Sequence, residues 1–172
     1  MNQFNEANLV EKTVINLIKE VWSDPSCHID AFSEESDLSL GRENQGEVVL
    51  EKYLLTALKK INPDQSESAL LLAIDELTRD RSHLTMVNAN QEIYRLLRDG
   101  AGVLVANADG RTKTERVRFI DFDQPANNHF LAISQLWIVG EMYTRRPDVI
   151  LYVNGIPIIL MELKASHKNL VD

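Results

Sequence analysis

Arg145-Arg-Pro-Asp-Val-Ile-Leu-Tyr-Val-Asn-Gly-Ile-Pro-Ile-Ile-Leu-Met-Glu-Leu-Lys164 is the stretch that decides the fold. Two apolar, β-branched runs, Val149–Val153 and Ile156–Met161, flank Asn154-Gly155. Asn-Gly between two such runs is the strongest short-range signal for a β-hairpin, because the tight turn that joins twisted strands needs positive φ at both of its central residues. Strands buried on both faces read as unbroken apolar runs, and an ionised side chain inside one costs several kcal/mol. The charged residues accordingly gather at one end of the hairpin, where the sheet meets water. Asp148 precedes the first strand, and Glu162 and Lys164 close the second.

Glu162 and Lys164 are two residues apart, so on a strand they point to one face. The two carboxylates of Asp148 and Glu162, converging there, would make a hard-oxygen site for Mg²⁺. The neighbouring ammonium would orient an attacking water or stabilise phosphate charge. Register decides whether the carboxylates converge. With a strict two-residue loop Val153 pairs with Ile156 and Asp148 with Met161, which sets Asp148 and Glu162 on opposite faces. A one-residue irregularity, either a three-residue loop with a glycine bulge or a kink at Pro147-Asp148, brings Asp148 opposite Glu162. We expect such an irregularity.

The whole chain has 172 residues. That length suits one domain with a sizeable core, and 44% hydrophobic with 26% charged residues is ordinary globular composition. A net charge of -8 argues against a protein that grips nucleic acid over its whole surface, since phosphate affinity comes mostly from Lys and Arg. The basic residues are locally dense instead, with Arg111, Lys113, Arg116 and Arg118 in one run and Arg145 and Arg146 beside the hairpin. One cysteine excludes an internal disulfide and a cysteine-based zinc site. The four histidines, His28, His83, His129 and His167, form no ligand-spaced set. With no basic-then-apolar leader and no apolar run near the ~20 residues that span a bilayer, a cytoplasmic location without membrane contact is expected.

Towards the amino terminus, Asn5 or Asn8 caps a helix running to about Trp22, with Val10, Val14, Leu17, Ile18 and Val21 along one face and Glu11 on the edge of that stripe. Residues 23–47 are polar and punctuated and read as loop. Residues 48–61 regain helical periodicity until Asn62-Pro63, and Ser66 opens a second helix with Ala69, Leu70, Ala73, Ile74 and Leu77 inward. A third helix covers residues 86–98 and stops at Gly100. Val103-Leu104-Val105 and residues 117–121 then read as a hairpin around Asp109-Gly110 with a basic tip. Its arginines and lysine serve as a charged edge in preference to a phosphate contact. Leu131 to Val139 reads as a strand, and Asp121, Asp123 and His129 as hydrogen-bonding loop residues. No phosphate-binding glycine loop is present, so ATP binding is not expected of these residues.

Pro147-Asp148 followed by Glu162-Leu163-Lys164 resembles the PD-(D/E)-x-K nuclease motif. The motif is short, but the whole of residues 145–164 is similar, nearly word for word, to the nuclease segment of type I restriction enzyme R (restriction) subunits, and the likeness extends over nearly the whole chain. It implies an α/β, restriction-endonuclease-like core, a mixed central sheet flanked by helices. It also implies roles for particular residues. Asp148, Glu162 and the Leu163 backbone carbonyl would bind Mg²⁺, Lys164 would be the catalytic lysine, and Glu11 would join the metal cluster or its surroundings. Arg145 and Arg146 would face DNA.

The reaction so implied is hydrolysis of double-stranded DNA, with Lys164 orienting or deprotonating the attacking water. The family carries ATP-driven motor domains after this region and works with modification and specificity subunits. The sequence stops eight residues past Lys164. Residues 1–172 are therefore expected to be a single nuclease domain at the amino terminus of a larger R subunit, weak or inactive by itself and leaving an apolar strand edge exposed. The alternative is a catalytically silent docking module that links the motor to the other subunits. A docking surface has no need of Asp148, Glu162 and Lys164 together at a strand end.

Overall fold

The computed structural model describes residues 6–22, 28–30, 40–106, 110–140 and 142–164. The chain divides into two compact units, one of residues 1–48 with 130–172 and one of residues 49–129.

In the first unit the hairpin forms as read. β7 (Val149–Val153) and β8 (Ile156–Met161) pair antiparallel through a two-residue turn. Asn154 at φ 53° and Gly155 at φ 79° supply the two positive angles that this turn demands. Upstream, β1 (His28–Asp30) runs parallel to β4 (Phe130–Ser134), and β4 runs antiparallel to β7. The order β1-β4-β7-β8 is thus a mixed sheet. Every residue of β4 from Leu131 onward and of β7 through Tyr152 is buried, as an apolar run in a central strand requires. Tyr152 is fully covered, and burial pushes its phenol up to about 12. β8 differs, for Ile158, Ile159 and Leu160 are exposed along the sheet edge. That is the apolar edge expected from the sequence.

The register irregularity is present, but neither in the loop nor at Pro147. Val153 faces Ile156 and Tyr152 faces Pro157, yet Leu151 faces Ile159, so Ile158 is an extra residue in β8. Pro157 explains the site of the bulge. It has no N–H to give to the ladder, and a strand accommodates proline at an edge or at a bulge. Beyond it Val149 faces Met161, and one further step would set Asp148 across from Glu162.

Helix α1 (Glu6–Trp22) packs on the sheet through Ile15, which joins Ala132, Val149 and Leu151 in one cluster with Ile18, Trp22, Met161 and Leu163 around it. The inward line is therefore Glu11, Ile15, Ile18, Trp22. Leu17 and Val21, expected to face the core, are exposed. Trp22 decides the rotation, because its ring meets Phe130 at 5.3 Å between centroids and fills more of the sheet face than Val21 would. The Asn5 cap lies outside the described residues, as does the side chain of Asn8. The expectation of pure loop across residues 23–47 is corrected by β1, whose three residues are too few for a periodic signal and whose partner is about a hundred residues away.

Among the described residues, the second unit holds three α-helices and a hairpin. α2 (Glu51–Ile61) and α3 (Glu67–Thr78) pack together, with the five inward residues of α3 all buried as expected. The Ser66 hydroxyl caps α3 by accepting from the Ala69 N–H at 3.2 Å. Buried Asn62, which follows α2, accepts the Arg118 N–H at 2.8 Å and donates to the Arg118 carbonyl at 2.9 Å. It thereby ties the end of the hairpin to the helix.

α4 (Met86–Asp99) leads through Gly100 into β2 (Ala101–Ala106), which pairs with β3 (Thr112–Val117). The second strand was expected at residues 117–121, and it begins five residues earlier. Lys113 and Arg116 therefore lie along β3 rather than at the tip, whose residues 107–109 are outside those described. Thr112 and Thr114 are β-branched and supply the strand propensity that the charged residues mask.

Asp121 holds the next loop together. Its carboxylate accepts from the Asn127 side chain at 2.8 Å and from the Gln124 and Asp123 N–H groups at 3.0 and 3.2 Å. Those bonds, the Asn127 one foremost, hold it below the usual carboxylate range.

Gly100 combines φ 78° with a tight approach, since a Cβ there would stand 2.5 Å from the Val117 carbonyl oxygen. Gly100→Ala is expected to cost roughly 2 kcal/mol or more, from left-handed strain plus the shift that this clash forces. A urea midpoint unchanged from wild type would refute it.

Candidate metal and active site at the hairpin end

Two neighbouring strands deliver one polar residue each to a single row. Ser134 faces Val149, and the pairing continues one step as the Gln135 N–H donates to the Asp148 carbonyl at 3.1 Å. On the other side of β7, Val149 faces Met161 in the last ladder pair, and the same register continued one step would set Asp148 across from Glu162. Gln135 and Asp148 thus lie side by side at the end of β4 and β7, with Glu162 just past the end of β8. The same end of the sheet receives Glu11 from α1.

The amide of Gln135 joins the two acids. Its Nε2 donates to Glu11 Oε1 at 2.7 Å and to Asp148 Oδ1 at 3.2 Å, and the side chain is buried. The other Asp148 oxygen, Oδ2, accepts the Leu163 N–H at 2.6 Å. Glu11 and Asp148 are half-buried, while Glu162 and Lys164 are exposed beyond the last ladder pair of β8. Among the described residues no group of three or more His, Cys, Asp or Glu side chains stands close enough to hold a metal ion. The structure brings Glu11 to Asp148 through the Gln135 amide, while Glu162 lies just beyond the last ladder pair of β8. It gives the Leu163 N–H, rather than its carbonyl, a contact with Asp148.

Arg145 and Arg146 are exposed, and each lies over an aromatic ring. Arg145 is 5.2 Å from the Tyr143 ring centre, at the end of the short ladder of β5 (Ile138–Val139) and β6 (Thr144–Arg145). Arg146 is 5.1 Å from that of Trp137. Guanidinium stacking limits the freedom of both side chains while leaving their charge towards solvent.

Sequence reasoning passed over Gln135, which sat inside a run read as one strand. β4 in fact stops at Ser134, and Gln135 takes φ 58°. The available signal was a lone amide with Ser134 in an otherwise apolar stretch. The second unit carries a separate open cleft of about 420 Å³ lined by Lys52, Tyr53, Lys60, Asn127, Asn128 and His129 among others. None of these was a sequence candidate for the site.

Fold and site together define a mixed α/β protein with an acidic site at the end of a β-hairpin. Residues 3–172 match the family described as type I restriction enzyme R protein N terminus, and the chain belongs to that family. It is 39% identical over 126 residues to the type I restriction enzyme HindI endonuclease subunit of Haemophilus influenzae, a match covering 73% of this chain and 12% of that protein. A second relative, provisionally named the type I restriction enzyme MjaIXP endonuclease subunit of Methanocaldococcus jannaschii, is 28% identical over 173 residues. That match covers 97% of this chain and 16% of the relative. The chain thus spans under a fifth of the length of these relatives. Among the described residues no helix is long and apolar enough to cross a membrane.

Proposed function

We propose that residues 1–172 form one nuclease domain with a PD-(D/E)-x-K core, which hydrolyses double-stranded DNA as part of a cytoplasmic type I restriction enzyme. The names of the relatives support the enzyme class. The observation that carries the chemistry is the bulge at Ile158, because the register beyond it, continued one step past the Val149–Met161 pair, would bring Asp148 and Glu162 to one side of the sheet.

The donor set suits magnesium. Glu11 Oε1 and Asp148 Oδ1 both accept from the Gln135 Nε2, so two carboxylate oxygens are gathered around one amide nitrogen. Carboxylate and carbonyl oxygens are the ligands this hard cation takes. Asp148 and Glu162 would hold it, with the Leu163 carbonyl and Glu11 completing the set. Bound there, the cation would supply Lewis-acid stabilisation of charge on the phosphate. The protein's own groups do the rest. Lys164, two residues beyond Glu162 and in solvent, orients the attacking water and takes or steers its proton. Arg145 and Arg146, steadied on Tyr143 and Trp137, bind the phosphates that flank the cleaved bond. ATP-driven translocation belongs to motor domains outside this chain, and site recognition to the specificity and modification subunits.

A Mn²⁺ or Mg²⁺ titration of the chain, wild type against Asp148→Asn, tests the reading. Saturable binding weakened by about 10-fold or more in the variant is expected. Absent binding, or binding indifferent to the substitution, would transfer support to the catalytically silent docking module.

A further inference from the structure

The residue with the least obvious reason to be where it is at the proposed metal site is Gln135. It is not glycine, asparagine or aspartate, yet it holds φ 58°, a left-handed conformation costing of order 1 kcal/mol for such a side chain. It is also buried at 7% exposure, where an amide must find partners. Both costs are met at one place, since the left-handed turn ends β4 and aims the amide between α1 and β7. There the Nε2 donates to two carboxylates from segments 124 and 13 residues away. The orientation of the amide follows from its neighbours. Its oxygen turned to the same two acids would add repulsion, whereas the NH₂ group offers two donors.

We propose that Gln135 is a positioning residue for the metal site, whose amide gathers the Glu11 and Asp148 carboxylates before a cation arrives. The proposal rests on the metal-site reading above. Two like charges brought this close repel, and an N–H aimed at both offsets part of that repulsion without occupying the site with a competing charge. Without the amide the repulsion between the two acids is no longer offset there, and Glu11 shifts away from Asp148. Asp148 keeps its bond from the Leu163 N–H and stays. The cation then finds Asp148 and Glu162 without Glu11. Gln135 thus acts through Glu11, and the two residues are energetically coupled.

A double-mutant cycle with Mn²⁺ as the probe tests this. Gln135→Met keeps length and removes the donor, and Glu11→Gln removes the acid that the donor positions. Each is expected to weaken Mn²⁺ binding by about tenfold, as partners of metal ligands do. The double variant is expected to bind no more weakly than either alone. Additive losses of about a hundredfold, or wild-type affinity in Gln135→Met, would overturn the proposal.

A metal-free measurement separates this from the nuclease reading. The Gln135 side-chain amide protons, followed by NMR in the wild-type chain, are expected to exchange slowly and to shift in both Glu11→Gln and Asp148→Asn. If wild type binds no Mn²⁺ but these signals respond to both substitutions, the metal reading fails while the bridge stands, with no cation for it to serve, and the proposal falls with that reading. If the signals exchange freely and ignore both, the bridge itself is wrong, whatever the metal does.

Discussion

Replacing Lys164 with methionine in the assembled restriction enzyme is expected to lower DNA cleavage by about 10³-fold, within the range that a positioned proton-transfer group contributes. The size of that effect is informative because of where Lys164 sits. It is exposed, lies past the last ladder pair of β8, and has no resolved part in the core. An exposed substitution of this kind ordinarily changes stability by no more than about 0.5 kcal/mol. A large loss of cleavage therefore has no structural route and reports on the reaction itself. Mn²⁺ affinity of the Lys164→Met chain is expected to stay within about threefold of wild type, since an ammonium is not a metal ligand. ATP-driven translocation, measured in the same preparation, is expected to be unchanged. Cleavage within tenfold of wild type would remove Lys164 from the mechanism.

The second large effect concerns parity in β8. Ile158 is supernumerary, so its deletion lets Pro157 and Ile159 follow each other in a regular ladder, with Leu151 still facing Ile159 and the register beyond it unchanged. Metal affinity is expected to stay within about threefold of wild type, because a removed bulge changes local twist and not the pairing beyond it. Deleting Ile158 and Ile159 together is a different matter. Val149 then faces Glu162, every side chain beyond the deletion changes face, and the acid is driven towards the cluster of Ile15, Ala132 and Leu151. Saturable binding is expected to disappear, a loss of about 100-fold or more, since a ligand on the wrong face contributes nothing and its charge is costly to bury. Circular dichroism on both variants guards against a trivial loss of structure. Retained binding in the double deletion, or lost binding in a folded single deletion, would show that the register of β8 does not govern the site.

Glu11 illustrates how legible the site was. It entered as an acid on the edge of an apolar stripe and through a family resemblance. The structure sets it, half-buried, on the inward line of the helix, one turn before Ile15. Helical periodicity located the helix but not its rotation, because Leu17 and Val21 are as apolar as the residues that face the sheet. The choice was made by Trp22 finding Phe130, more than a hundred positions along the chain. The same limit hid β1, whose three residues become a strand only beside β4, and it hid the register of β8. Pro157-Ile-Ile-Leu-Met161 is apolar at every position, so the pattern tolerates either register, and only the missing N–H of Pro157 marks where the extra residue goes.

What the sequence determined by itself was everything carried by neighbours in the chain. The Asn154-Gly155 turn, the Ser66 cap, the inward faces of α2 and α3 and the placing of Asp148, Glu162 and Lys164 at one end of a hairpin all depend on spacings of a few residues. The tertiary structure alone decided which polar groups meet. Gln135 touches Glu11 and Asp148 because β4 ends beside β7 under α1, and no local preference records that. Local conformational energies are read within a turn of helix or a pair of strand residues. The convergence of a buried amide with two acids is settled by packing among segments that are distant in sequence.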